Sequence, residues 1–370
     1  MGEVQDQPLP PLEVLEAMKF SNYKVNIPGP YHIKNGIPCQ DAYCIRETPD
    51  GVIVAAVADG LGSETHSDKG AKIASSFVVT FCKQHYKPEM TEHEVISLLR
   101  RAYTKAYALV EKTAINKGND VDQYDCTLCT VIYDGKTLYY GQSGDSGLIV
   151  GSNDGGYYKI TEQQRDEDNN VYPLCFGPEY WEFGKVKGNV VSVMLMTDGV
   201  WEQACPPILK NEQQQINIGF VEMFLNHFGL DDSEVRSLER EANRYMRNFS
   251  QKRLDDDKTI VVIINSEAKP LRREDSYYAA PNWDELADER TKRMNEANRE
   301  SDESNLNDSS NCIKAKEKAE LHIPVDLSAA GKAIHTLVDK VDELFVQQSK
   351  PKVEEVKKIS PKTIHIDIKV

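Results

Sequence analysis

Three apolar runs in this chain each meet carboxylates at one end. VIVAAVA at 52–58 leads into Asp59-Gly60-Leu61-Gly62, VVSVMLM at 190–196 leads through Thr197 into Asp198-Gly199, and Asp256-Asp257 precedes KTIVVII at 258–264. Unbroken small and branched apolar runs read as strands covered on both faces, which demands helices or a second sheet on each side. A buried strand holds its terminal residue rigidly, and glycine beside an Asp lets backbone come close to a ligand, so such an end suits a hard cation. Asp-Gly is also a common turn dipeptide. Three acid-ended buried strands in one chain are hard to explain by turns alone.

The segments between these runs supply partners for them. The stretch 37–45 (IPCQDAYCI) leads into a strand that pairs with the Val52 run across Thr48-Pro49-Asp50-Gly51, which brings Asp41 near Asp59. A helix is expected over 67–86 with Ile73, Phe77, Val78 and Phe81 on one stripe. A second runs from Thr91 towards Lys117, with Thr91 and Glu94 forming a capping box. Strands follow at 126–133, 137–142 and 146–150, and Ser143-Gly144-Asp145-Ser146 places another acid at a break between them. Residues 161–188 show no period and read as a long loop or flap. Helical segments are expected at about 208–228 and 232–249.

The ends of the chain differ in character from its middle. Residues 1–21 form a polar lead-in with a short amphipathic piece at 12–20. Residues 267–320 read as a charged linker, dense in Glu, Asp, Lys, Asn and Ser at 284–320, and 321–370 as a small extension with one amphipathic helix and one alternating strand. The balance of 44 Lys+Arg against 59 Asp+Glu, a formal charge of −15, argues against nucleic acid or an anionic membrane as partner. The sequence shows neither an apolar run of membrane-spanning length nor a secretory leader pattern, so a cytoplasmic setting is expected. The 8 cysteines are then expected to be reduced. Cys126 and Cys129 have CxxC spacing, but on a strand they point to opposite faces, against a redox or zinc role.

Asp59, Asp145, Asp198 and Asp256, with Asp41 nearby, make a carboxylate set without His or Cys. Oxygen donors suit Mg²⁺ or Mn²⁺. Two such ions sharing one carboxylate can acidify a common water enough to attack phosphorus. No arrangement of Ser-His-Asp type, nor a Cys with a following Arg, offers a covalent alternative.

In their order along the chain, Cys39-Gln40-Asp41, Val57-Ala58-Asp59-Gly60-Leu61-Gly62, Asp125-Cys126-Thr127, Gly144-Asp145-Ser146, Thr197-Asp198-Gly199-Val200-Trp201-Glu202 and Asp256-Asp257-Lys258-Thr259 resemble the metal-dependent protein phosphatase 2C family. The resemblance spans about residues 22–266. It implies an α+β fold, a four-layer α-β-β-α sandwich of two antiparallel sheets flanked by helices, and hydrolysis of phosphoserine or phosphothreonine in proteins. It further implies two Mn²⁺ or Mg²⁺ ions, with Asp59 bridging them, the Gly60 carbonyl on one and Asp198 and Asp256 on the other. Asp145, with Glu202, matches the position that helps hold a third ion in bacterial relatives, and Asp41 acts through water.

This sequence departs from the family pattern in its basic groups. The Arg that grips phosphate ahead of the first acidic motif is missing, and His32 and Lys34 are the candidate substitutes. The Arg often found after Gly-Asp-Ser is Gly147 here. Together these features make a serine/threonine phosphoprotein phosphatase the expected function, with a cognate Ser/Thr kinase as expected partner. The alternatives are a regulatory module acting through the C-terminal extension with weak or no turnover, and a phosphatase of small molecules.

Overall fold

The computed structural model describes residues 20–210, 215–248 and 256–293. In chain order the elements are β1 (Phe20–Ile27), α1 (Pro30–Asn35), β2 (Ala42–Glu47), β3 (Ile53–Ala58), α2 (Ser67–His85), α3 (Glu92–Lys117), β4 (Leu128–Tyr133), β5 (Leu138–Ser143), β6 (Gly147–Ser152), β7 (Tyr157–Lys159), β8 (Glu182–Lys185), β9 (Val190–Met196), α4 (Asp198–Ala204), α5 (Ile218–Leu225), α6 (Asp232–Asn248), β10 (Lys258–Asn265) and α7 (Asp275–Tyr278). The strands form two five-stranded sheets with antiparallel neighbours, ordered β1-β10-β9-β6-β7 and β2-β3-β4-β5-β8. The expected α-β-β-α sandwich is the observed one.

The burial of β3, β9 and β10 on both faces explains the unbroken apolar runs. Ile53, Ala55 and Val57 of β3 share a core with Leu148, Val193, Leu195, Val261 and Ile263, which is the seam between the sheets. The intervening Val54, Ala56 and Ala58 pack with α2 and α3 on the outer side of one sheet. Met194, Met196, Ile260 and Val262 pack with α4, α5 and α6 outside the other. The α3 N-terminus carries the expected capping box, in which Thr91 Oγ1 accepts from Glu94 N at 3.4 Å and Glu94 Oε2 accepts from Thr91 N at 2.7 Å.

Register puts the acids together. In antiparallel sheets, neighbouring strands present opposite termini at a given edge. Gly147 pairs with Met196 and Met196 with Ile260, so the start of β6, the end of β9 and the start of β10 share one edge. Ala42 pairs with Ala58, and Leu128 with Ser143, which does the same for the second sheet. Asp41, Asp59, Asp145, Asp198 and Asp256 all sit just beyond these termini.

Several expectations change. The stretch 161–188 is not loop throughout, because β8 closes the edge of one sheet by pairing with β5, Tyr140 opposite Gly184. On α2 the buried face is built from Ala71, Ala74, Ser75, Val78, Val79 and Cys82, and Phe77 lies to one side, stacked on Phe81 at 5.8 Å. Small residues let this helix come close to the sheet. The ordered body continues past 266. Leu271 N donates to Asn153 O at 2.9 Å, Arg273 Nη2 reaches Asp154 Oδ2 at 2.5 Å, and Tyr277 and Tyr278 pack on the helix side of the β9-β10 sheet, so 267–278 is no linker. Residues 283–293 are helical. The lead-in and its amphipathic piece up to residue 19, the rest of the charged stretch and the expected helix and strand at 321–370 fall outside the described residues. No helix among the described residues is long and apolar enough to cross a membrane.

Candidate metal centre

Asp59 follows the last residue of β3 and is fixed by two bonds to one neighbour. Asp59 N donates to Thr127 Oγ1 at 3.0 Å, and Thr127 N donates to Asp59 O at 2.7 Å. Thr127 Oγ1 also meets Ser146 Oγ at 2.8 Å, so the turn bearing Asp145 is tied to the same point. Asp198 opens α4. The residue after it has to be glycine, since a Cβ at Gly199 would lie 2.0 Å from the Asp257 carbonyl oxygen. The close approach of those two backbones brings Asp198 beside Asp256.

One oxygen each from Asp59, Asp145 and Asp198 lies within 4.8 Å of the others. Asp41 stands behind them, buried, with its Oδ2 accepting from Thr197 Oγ1 at 2.7 Å. Such crowding opposes ionisation. Burial, followed by the charges of Asp41 and Asp198, holds the Asp59 carboxyl well above the usual carboxylate range. Burial does the same at Asp41, despite the Thr197 hydroxyl. Asp145 is raised to about 7 by burial and then by the Asp198 charge, with Arg165 opposing. Asp256 is raised by burial and by Asp198.

The donor set fits a hard divalent cation. Asp41 Oδ1 and Asp145 Oδ1 are buried without a hydrogen-bond partner among the described residues, and the converging ligand atoms are all carboxylate oxygens. A multivalent cation satisfies lone pairs and relieves repulsion at once. Glu202, one turn after Asp198 on α4, is exposed and lines a groove with Pro206, Asn217 and Trp283.

The expected phosphate-binding groups, His32 and Lys34, sit on one loop and in different surroundings. His32 is 7% exposed, and its Nδ1 lies 2.8 Å from Asp257 Oδ1. The same carboxylate accepts from Gly29 N and Gln40 N, each at 2.6 Å. His32 thus belongs to a clamp that holds both ends of the 29–40 loop, with its Nδ1 engaged by Asp257. Lys34 lies exposed on α1 of that loop. Gln40 ties the loop to the start of α2, with Nε2 donating to Ser67 Oγ at 2.9 Å.

The cation within the cluster is not among the residues singled out from the sequence. Arg165 Nη2 donates to Asp145 Oδ2 and, at 3.0 Å, to Asp198 Oδ2. It comes from the expected flap, 20 residues after Asp145, and no local pattern marks it. The missing Arg after Gly-Asp-Ser also has a packing reason, because a Cβ at Gly147 would lie 1.9 Å from the Trp201 ring.

Residues 28–241, more than half of the chain, match the model of a family described as Protein phosphatase 2C. No curated protein matches. Among solved structures, the serine/threonine phosphatase of Staphylococcus aureus is similar at 13% identity, covering 69% of this chain and 99% of that one, with a TM-score of 0.45. The serine/threonine phosphatase of S. agalactiae shares 15% identity over 66% of this chain and 99% of its own, with a TM-score of 0.44. PppA of Pseudomonas aeruginosa, described as a key regulatory component of the T6SS, shares 18% identity over 66% of this chain and 97% of its own, with a TM-score of 0.45.

Proposed function

The chain belongs to the protein phosphatase 2C family of protein-serine/threonine phosphatases, and we propose that it hydrolyses phosphoserine and phosphothreonine esters at the acid-lined end of its sandwich with Mn²⁺ or Mg²⁺ bound there. The observation that carries this is the convergence of Asp59, Asp145 and Asp198 within 4.8 Å, backed by Asp41 and Asp256. Asp59, the Gly60 carbonyl, Asp198 and Asp256 are the residues that would hold the ions. Bound there, the ions acidify a water for attack on phosphorus and draw charge from the phosphate oxygens.

The chain's own groups do the rest. Asp41 presents its unpartnered Oδ1 to the O–H of the attacking water and so orients it. The Thr197 hydroxyl holds Asp41 Oδ2 in place for that task. The Asp257 clamp fixes the loop that carries Lys34 and leaves its ammonium exposed for an incoming phosphate. Phosphate-monoester hydrolysis is very slow without a catalyst, so charge neutralisation at this end has to supply most of the barrier reduction. The proposed setting is the cytoplasm, opposite a Ser/Thr kinase. Nothing observed favours the regulatory alternative, and a site retained without turnover would have no use for carboxylates that repel one another.

Purified protein assayed on p-nitrophenyl phosphate and on a phosphothreonine peptide, with Mn²⁺, Mg²⁺ or EDTA, tests the reading. Turnover is expected to need the metal and to fall about 10³-fold or more in Asp59→Asn, while the variant stays folded by circular dichroism. Turnover that persists in EDTA, or in Asp59→Asn at the wild-type rate, sinks it.

A further inference from the structure

Arg165 is positioned by a hairpin that makes its own bonds. At the base, Gln164 and Gly144 bond reciprocally: Gly144 N donates to Gln164 Oε1 at 2.9 Å and Gln164 N donates to Gly144 O at 3.2 Å. Arg165 then pairs with Val171 across the hairpin. At the tip, the Asp166 carboxylate accepts from Asp168 N at 2.9 Å, Asn170 N at 2.8 Å and Asn170 Nδ2 at 2.9 Å. The side chain is therefore delivered from a frame stitched to the very turn that carries Asp145.

The guanidinium lands between two carboxylates, one of them 1% exposed. A carboxylate buried to that degree is strongly disfavoured unless a cation meets it. Among the described residues, Arg165 is the basic group paired with Asp145 or with Asp198. By the family resemblance, Asp145 marks the place of a third ion. Here a protein cation bridges Asp145 to Asp198, and no ion pair joins Glu202, the other residue considered for that ion, to it among the described residues.

We infer that Arg165 is a built-in replacement for a third metal ion, so that this enzyme holds two divalent ions and neutralises the Asp145 and Asp198 pair with its own guanidinium. The inference rests on the phosphatase reading above. Guanidinium is always charged and its planar fork suits carboxylates and phosphates alike, so the substitution keeps a cation at this position whatever the metal supply.

Counting bound Mn²⁺ by calorimetry and by the electron paramagnetic resonance of the free ion tests this without reference to turnover. The wild type is expected to bind two ions. Arg165→Ala is expected to bind a third, more weakly, and Arg165→Lys to remain at two. Should Arg165→Ala fail to fold, Asp145→Asn with Arg165 intact serves instead, and its count is expected to stay at two. Three ions on the wild type, an unchanged count in a folded Arg165→Ala, or a lost ion in Asp145→Asn each overturn the inference while leaving EDTA-sensitive turnover intact. A wild type that binds no ion and turns over in EDTA overturns the phosphatase reading, and the inference with it.

Discussion

Leu195 and Asp198 stand close together at the end of β9, yet they sit in opposite kinds of surroundings. Leu195 lies in the seam between the sheets, wholly buried, with Leu148 and Val261 as its cross-strand neighbours. Asp198 lies where the same strands run out, among carboxylates and Arg165. The seam gains from every apolar group taken out of water, at roughly 25 cal/mol per Å². The acid end loses, since its carboxyls are crowded and pushed towards protonation. Placing both on the same rigid strands lets the seam hold in position a cluster that would fly apart on a looser support.

The sharpest test of that division is Leu195→Ala. A buried Leu truncated in a seam that cannot collapse around it is expected to cost about 2–5 kcal/mol. Denaturant unfolding should show that loss equally in EDTA and in Mn²⁺, with the number of bound ions unchanged. A loss that vanished on metal binding would mean that seam and acid end are one energetic unit.

Asp257 sits at the join and should give the next largest effect. Its carboxylate accepts from Gly29 N, Gln40 N and His32, tying the loop between them to the start of β10. Asp257→Asn turns an amide NH₂ towards one of those donors, at a cost of about 2–3 kcal/mol. Hydrogen exchange is expected to quicken over 29–40 and to stay slow in β9. Equal quickening in both would place Asp257 in the core rather than at the join.

What the sequence reveals follows the same divide. The strand-end acids stand out because an apolar run and the carboxylate closing it are neighbours in the chain, and the α3 cap because Thr91 and Glu94 lie within one turn. Arg165 does not stand out, since its partners lie 20 and 33 residues away and its own segment has no period. β8 is four residues, two exposed and two half-buried, whose strand character comes from pairing with β5. His32 looks like a solvated loop histidine until Asp257, 225 residues on, is seen to hold its Nδ1. Local pattern carries the sandwich and the acids. The cation that meets them is set by contacts that only the fold creates.

Asp125 offers a last, smaller contrast: an acid at the same end that has a thiol for company in place of a cation. Its Oδ2 accepts from Cys175 Sγ at 2.7 Å, and burial raises its carboxyl to about 6. With an unfolded value near 3.9, the folded state binds more protons than the unfolded one between about pH 4 and 6. Stability contributed by this group is therefore greatest at the acid side of that window and is lost as pH rises through about 6. A carboxyl raised from about 3.9 to about 6 accounts for about 3 kcal/mol at most, which solvent screening of a partly exposed group reduces to about 1–2 kcal/mol. Asp125→Asn keeps the shape and removes the titration. The variant is expected to unfold later than wild type at about pH 8, with the gap closing or reversing by about pH 5, in urea titrations run in EDTA. A gap that is the same at both pH values would show that an acid at this end of the sandwich can be buried beside a thiol without strain, and that the cluster's need for a cation comes from its crowding rather than from its burial.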